Sequence, residues 1–382
     1  MRLVAISDHY IPHDFMQRGL APLAALGVDV EIRRWEHETL VELQQANLAI
    51  EQGGPEAVEL PEAFFERLGG VEILVTQFAP VARRMIEAAA GLKVIGVLRG
   101  GVENVAVDLA TERGISVLNT PGRNARAVAE CTVGLILAEI RNLARSHACL
   151  KSGRWRREFA NSAAIPELNE KTVGLVGYGA VGRLVAHYLE AFGSRILAYD
   201  PFFQGDPAPA RLVDLPALLR QADVVSLHAR LSEETRHLIG AAELAMMKPS
   251  AVLVNTARSG LVDERALVAA LAERRIMGAA LDVFDVEPLP PDSPLLTLEN
   301  VTITPHLAGS TIDAFRGSPP LLAGHLARML RGERGLPIIN GVPPAIFGPA
   351  QKSIETEPQG IGNVQMKSIL IAPRKYVQGR GV

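Results

Sequence analysis

Within residues 173–200 a short apolar run, Val173-Gly174-Leu175-Val176, leads into Gly177-Tyr178-Gly179-Ala180-Val181-Gly182. Leu184, Val185, Tyr188 and Leu189 then recur at helical spacing, and Arg195-Ile196-Leu197-Ala198-Tyr199 ends in Asp200. The pattern is strand, glycine turn, helix, and a second strand closed by an acid. A glycine triplet alone also marks ordinary turns. Here Gly177 suits a tight turn, Gly179 lets backbone approach a pyrophosphate, and Gly182 lets helix pack on strand. Asp200 falls near the roughly 20-residue spacing at which an acid meets a ribose diol. The segment therefore reads as a dinucleotide site. A carboxylate at that strand end repels a 2′-phosphate, and Pro201-Phe202-Phe203 offers no arginine to hold one, so NAD is favoured over NADP.

The 382 residues exceed one ordinary core and suggest two domains. Short apolar strands at 3–6, 28–33, 73–76, 94–97 and 115–119 precede the glycine motif, and others at 224–227, 252–255, 278–281 and 301–304 follow it. Helical patterns separate them. Strands alternating with helices predict an α/β protein with two doubly wound parallel sheets. A Pro/Gly turn, Asn119-Thr120-Pro121-Gly122-Arg123-Asn124, marks a boundary before a long helical pattern at 125–150. A second crossing at 305–311 predicts that the chain returns to its first domain through a helix over 311–331. The expected division is 1–118 with 311–342, then 119–310, with 343–382 an irregular tail and ligands in a cleft between the lobes.

With 48% hydrophobic and 21% charged residues, disorder is excluded for most of the length. A net charge of −3 without a basic block argues against nucleic acid as a partner. The opening Met1-Arg2-Leu3-Val4-Ala5-Ile6-Ser7-Asp8 is too brief for a signal-peptide core, and no apolar run approaches the roughly 18 residues of a membrane span. Cys131 and Cys149 both fall in the 125–150 pattern, could not bridge without breaking it, and lack metal-ligand spacing. They read as reduced core thiols, and the expectation is a cytoplasmic protein without metal.

Three groups able to carry chemistry sit just past strand ends. Arg258 follows Val252-Leu253-Val254-Asn255, Glu287 follows the strand at 278–281, and His306 follows the strand at 301–304. Carboxyl ends of parallel strands face the ligand crevice, which could bring all three to a nicotinamide. An arginine clamps a carboxylate, a histidine exchanges a proton near neutral pH, and a carboxylate beside it holds the imidazolium. Singly, each residue type is more often structural or solvated surface.

The stretches at 255–260, 279–290 and 304–311 resemble the signatures of the D-2-hydroxyacid dehydrogenase family, which includes phosphoglycerate dehydrogenases and glyoxylate and hydroxypyruvate reductases. With Asn119-Thr120-Pro121, Asn124 and Ala129-Glu130 the resemblance covers roughly residues 70–340. It implies an NAD-binding Rossmann domain inserted into a split, flavodoxin-like substrate domain. It also implies Arg258 on the substrate carboxylate, His306 as proton donor or acceptor, and Glu287 as its partner. Ala180 and Val181 would meet the pyrophosphate, Asp200 the ribose, and Ala229 the adenosine; Thr256 and Ala257 would line the nicotinamide, with Asp282 on its carboxamide and Gly309 nearby. The loop Arg99-Gly100-Gly101 would bind the substrate carboxylate.

The implied activity is interconversion of a small D-2-hydroxyacid and its 2-ketoacid, in a homodimer whose arm is the 125–150 helix. A second reading, a dinucleotide-sensing binding protein similar to the corepressors of this fold, differs in lacking turnover. Two departures argue against phosphoglycerate: Val97 stands where a basic residue is usual, and no regulatory domain follows. Arg99 replaces a glycine, so that it either adds charge to the substrate pocket or points to solvent. In the tail, 366–382 resembles the opening of a glycerol dehydrogenase, which suggests a reading frame that has run into a neighbouring gene.

Overall fold

A computed structural model describes residues 1–159, 161–162 and 166–345. The chain divides into two units, Met1–Arg123 together with the chain from Ile312 onward, and Asn124–Thr311. The expected tail at 343–382, with its resemblance at 366–382, lies almost wholly outside the described residues.

In the first unit strands and helices alternate as β1 (Arg2–Ser7), α1 (His13–Leu20), β2 (Asp29–Arg34), α2 (Leu40–Gly53), β3 (Ile73–Thr76), α3 (Arg83–Ala88), β4 (Val94–Val97), α4 (Val107–Glu112) and β5 (Ser116–Asn119). The sheet is wholly parallel, in the order β2-β1-β3-β4-β5. Such a sheet is covered on both faces, which is why β1, β3, β4 and β5 read as largely apolar runs, whereas the edge strand β2 is Asp29-Val30-Glu31-Ile32-Arg33-Arg34 with no buried residue. In β1, Leu3 and Ala5 enter one core while Val4 and Ile6 enter the other.

The second unit continues with α5 (Ala125–Ile140), α6 (Leu143–Lys151), β6 (Thr172–Val176), α7 (Ala180–Glu190), β7 (Arg195–Tyr199), β8 (Arg211–Leu212), α8 (Leu215–Gln221), β9 (Val224–Leu227), α9 (Ala241–Met246), β10 (Val252–Asn255), α10 (Glu264–Ala272), β11 (Gly278–Leu281) and β12 (Val301–Ile303). Its seven parallel strands lie in the order β12-β11-β10-β9-β6-β7-β8. Strand order reverses between β6 and β9, the switch point at which nucleotides bind in such sheets. The short edge strand β8 escapes a reading of periodicity because both its residues are exposed.

The helical pattern at 125–150 is two helices rather than one. Asn142 breaks it with a φ of 57°, a left-handed conformation that asparagine tolerates better than most residues. Its buried side chain is held at both ends: Nδ2 donates to Asn161 Oδ1 at 2.7 Å, and Oδ1 accepts from Arg145 Nη1 at 2.7 Å. Cys131 and Cys149 thus belong to different helices, both with free thiols, and only Cys149 is a core residue. Burial and the charge of Asp282 push the Cys131 thiol up to about 11, so it stays protonated.

The returning helix is α11 (Ile312–Leu330), which carries Pro319 and Pro320 in its interior yet stays continuous. Gly19 of α1 makes room for them: a methyl group there would come within 2.8 Å of Pro320 Cδ. Past α11 the chain runs along β5, where Ile339 N donates to Val117 O at 2.9 Å and Ile338 forms an antiparallel bridge with Leu118. No strand is legible there in the sequence.

Candidate active site

The glycine turn between β6 and α7 is built as its spacing implies. Gly177 has φ 94°, and a Cβ there would lie 2.5 Å from Ala229 N and 2.6 Å from His228 C. Only glycine fits, by conformation and by space. At Gly182 a Cβ would fall against the Gly177 carbonyl oxygen, so the helix seats on the turn. At Gly179, by contrast, nothing lies within 4 Å of that position. Ala180 and Val181 open α7 there, and unpaired amides at a helix start attract anions.

Asp200 ends β7 beside this turn, its Oδ2 accepting from Tyr178 N at 3.0 Å and its Oδ1 from Phe202 N at 2.9 Å. Below Gly177 lies His228, which the sequence reading did not single out. Its Nε2 pairs with Ser226 Oγ at 3.0 Å while Nδ1 is buried without a partner. Burial pushes its pKa down to about 3, so the ring is neutral.

Past β10, buried Asn255 clips the turn that carries Arg258. Its Oδ1 accepts from Ala257 N at 3.0 Å and its Nδ2 donates to Arg258 O at 2.9 Å. Thr256 is buried against α5: Thr132 gives its proton to Val128 O at 2.7 Å, so it accepts from Thr256 Oγ1, also at 2.7 Å. The exposed Arg258 donates from Nη1 to Ala257 O at 2.7 Å.

His306 follows β12 with φ 50°, an unusual conformation for a histidine. Asp282, at the end of neighbouring β11, holds this turn. Its Oδ1 accepts from Thr304 Oγ1 at 2.5 Å and Leu307 N at 3.0 Å, and its Oδ2 from Ala308 N at 2.9 Å. His306 Nδ1 meets Glu287 Oε2 at 2.7 Å, while Glu287 Oε1 accepts from Phe284 N at 2.9 Å. Glu287 is thereby oriented at one oxygen and engaged with the ring at the other, which leaves His306 Nε2 free to act.

The hydrogen bond to Glu287 and its charge raise the His306 pKa against the opposing effects of burial and Arg258. Burial pushes the Glu287 carboxyl up, but the His306 hydrogen bond and charge, the Phe284 amide and the Arg258 guanidinium outweigh it and hold it below the usual carboxylate range. The structure joins His306 and Glu287 directly, whereas the Arg258 guanidinium bonds its own loop and reaches the pair only through its charge. Gly309 closes the same loop, where a Cβ would run into the Asn124 amide.

In the first unit, Arg99, Gly100 and Gly101 follow β4. Gly100 has open space at its Cβ position, and its carbonyl accepts from Asn119 Nδ2 at 2.6 Å. Arg99 neither points to solvent nor offers a free cation. It is buried, with Nη1 on Asn47 Oδ1 at 2.9 Å and Nη2 on Glu51 Oε1 at 2.6 Å and Glu103 Oε2 at 2.9 Å. Two carboxylates thus neutralise the charge that its position suggested for substrate.

Residues 133–308 match the model of the D-isomer specific 2-hydroxyacid dehydrogenase NAD binding domain. A hydroxypyruvate reductase of Thermotoga maritima is 43% identical over 250 residues, which span 64% of this chain and 80% of that enzyme. The chain belongs to the D-isomer-specific 2-hydroxyacid dehydrogenase family. The matched domain is NAD-binding and the named relatives are dehydrogenases and reductases, which makes this chain an NAD-dependent oxidoreductase. The D-3-phosphoglycerate dehydrogenase of Methanocaldococcus jannaschii is 42% identical over 284 residues, 73% of this chain but 53% of the relative, so the chain spans about half of that enzyme's length. Among solved structures, the NAD-complexed D-isomer specific 2-hydroxyacid dehydrogenase of Lactobacillus delbrueckii ssp. bulgaricus shares 26% identity at a TM-score of 0.68, over 89% of this chain and 100% of that one.

The dehydrogenase's cofactor is NAD, and the residues present fit it. The open position at Gly179, the start of α7 and the Asp200 carboxylate provide for pyrophosphate and diol in turn. Among the described residues no group of histidine, cysteine or acidic side chains could hold a metal, and no helix is long and apolar enough to cross a membrane.

Proposed function

We propose that this dehydrogenase interconverts a small D-2-hydroxyacid and its 2-ketoacid. The observation that supports it most is the His306–Glu287 pair at 2.7 Å, in the same unit as Arg258. Arg258 clamps the substrate carboxylate and draws on the C2 carbonyl oxygen. His306 holds a proton on Nε2, opposite the nitrogen engaged by Glu287, and gives it to that oxygen as C2 is reduced; in the reverse direction it takes the proton back. Glu287 keeps the imidazolium charged and its ring fixed. The nicotinamide, when bound, supplies or accepts the hydride at C2.

Further contacts in this reading follow from position. Gly177, Gly179, Ala180, Val181 and Gly182 approach the pyrophosphate, Asp200 the ribose and Ala229 the adenosine. Thr256, Ala257, Asp282 and Gly309 surround the nicotinamide, and the amides of Gly100 and Gly101 meet the substrate carboxylate. Oxidation of NADH followed by its absorbance, against a panel of 2-ketoacids, tests the proposal. Consumption of NADH with at least one of them, giving a product of D configuration, is expected. NADH binding without turnover of any 2-ketoacid would instead indicate a dinucleotide-sensing protein and overturn the reading.

A further inference from the structure

The first unit is itself a doubly wound sheet, and its strand order reverses between β1 and β3. The loops leaving the carboxyl ends of its strands carry Asp8 and Tyr10 after β1, Gln77 and Phe78 after β3, Arg99 after β4 and Arg123 after β5. Tyr10 packs 5.7 Å from Phe78 and 4.6 Å from Phe315 of α11, ring centre to ring centre. The Arg99 guanidinium lies 5.5 Å from the Phe78 centroid, and that of Arg123 lies 5.2 Å from the Phe315 centroid. Two cations therefore border one aromatic group, and they differ sharply. Arg99 is spent on Glu51 and Glu103.

Arg123 forms no ion pair among the described residues. Its one side-chain hydrogen bond among the described residues runs from Nη1 to Ser318 Oγ at 3.4 Å, at the edge of what counts as a bond, and Ser318 gives its own proton to Ala314 O. Most of the five guanidinium donors thus have no protein partner among the described residues, on a residue that is only partly exposed. Burial and the nearby charge of Arg99 bring its pKa down to about 10, with Asp8 opposing them, so it stays charged. Asp8 is not its hydrogen-bond partner: Oδ1 of that buried carboxyl accepts from Tyr10 N and Ile11 N, both at 2.8 Å. On the loop after β3, Gln77 is fully buried with both ends of its amide unpartnered. Leaving polar groups unmet is costly, and a bound oxygen-rich group would satisfy them.

We propose that Arg123 is a specificity-determining residue that binds a second oxyanion on the 2-ketoacid, a carboxylate or phosphate remote from C1. The planar fork of the guanidinium matches either group through two parallel bonds. This rests on the proposed 2-ketoacid chemistry, and moves the preference for a second charge from Arg99 to Arg123.

The test compares wild type, Arg123→Ala and Arg123→Lys on pyruvate, 2-ketoglutarate and phosphohydroxypyruvate. Wild type should favour one dianion over pyruvate, the carboxylate and phosphate arms showing which oxyanion is read. Arg123→Ala should raise KM for that dianion by about 30-fold or more while changing KM for pyruvate by less than about threefold. Arg123→Lys should fall between them and serves alone if the alanine variant does not fold. Equal losses on all substrates, no loss, or no preference in wild type would overturn the proposal.

If no 2-ketoacid is reduced, the proposed reaction has failed, and a binding measurement decides the Arg123 assignment separately. D-malate and 3-phosphoglycerate should raise the melting temperature of wild type more than glycolate does, with that excess lost in Arg123→Ala. The same rise in both proteins overturns it.

Discussion

His306 and Glu287 couple through one hydrogen bond, and its consequence for pH has a definite sign. The His306 pKa is raised, so its share of the pair's stability is present below its ordinary value of 6.5 and is lost as pH rises through the folded value. The Glu287 pKa is lowered, so its share is present above 4.5 and is lost as pH falls through the folded value. The pair is therefore strongest between those two values. In the proposed mechanism reduction draws on the protonated ring, so Glu287→Gln should move the alkaline fall in kcat/KM to lower pH, and an unchanged profile would argue against the pairing. At the nucleotide end, Asp200→Ala should weaken NADH binding and improve use of NADPH, read as the ratio of the two kcat/KM values. A native preference for NADPH would contradict the assignment. The candidate residues could be picked out because titratable types stand shortly after apolar strands, and two of them, Glu287 and His306, share a hydrogen bond in the structure. Their supports could not: Arg99 finds Asn47 and Glu51 far away in the sequence, and the hold of Asp282 on the His306 loop needs two strands laid side by side.

Among the elements, strands of four to six residues were legible because burial on both faces leaves little choice but Val, Ile, Leu, Ala and Gly. What periodicity conceals is the break between α5 and α6, since apolar residues continue through it. That break rests on polar groups. Glu139 is almost fully buried, its Oε1 paired with Arg145 Nη2 and its Oε2 accepting from Thr302 Oγ1 at 2.7 Å. Burial raises the Glu139 pKa against these partners. Arg145→Ala would leave the carboxylate without its cation and should cost about 3 kcal/mol, measured by denaturant unfolding at neutral pH. The deficit should shrink as pH falls, because a protonated Glu139 no longer needs that charge. A loss below about 0.5 kcal/mol would show that the ion pair does not hold the junction.

For the molecule as a whole, alternation of strands and helices made two doubly wound units legible, but not the contacts that the chain past α11 makes with β5. The sequence places 336–342 in the first domain without a legible strand, and in the structure these residues cover the exposed edge of β5. Leu336 is buried, Asn340 Oδ1 accepts from Val117 N at 3.1 Å, its Nδ2 donates to Ile115 O at 2.8 Å, and Val342 O accepts from Ser116 Oγ at 2.9 Å. An uncovered parallel edge strand is a template for unwanted pairing, so this segment protects the sheet as well as stabilising it. Two truncations separate its role from that of the residues beyond. Ending the chain after Ile346 should leave melting temperature and activity unchanged, the outcome expected if 347–382 contributes to neither the core nor the site. Ending it after Gly335 should cost about 2–4 kcal/mol, the range for removing a buried leucine, and should promote aggregation visible by light scattering. Equal stability of the two truncated chains would show that β5 needs no cover, and a large loss in the longer one would make the tail a working part of the fold.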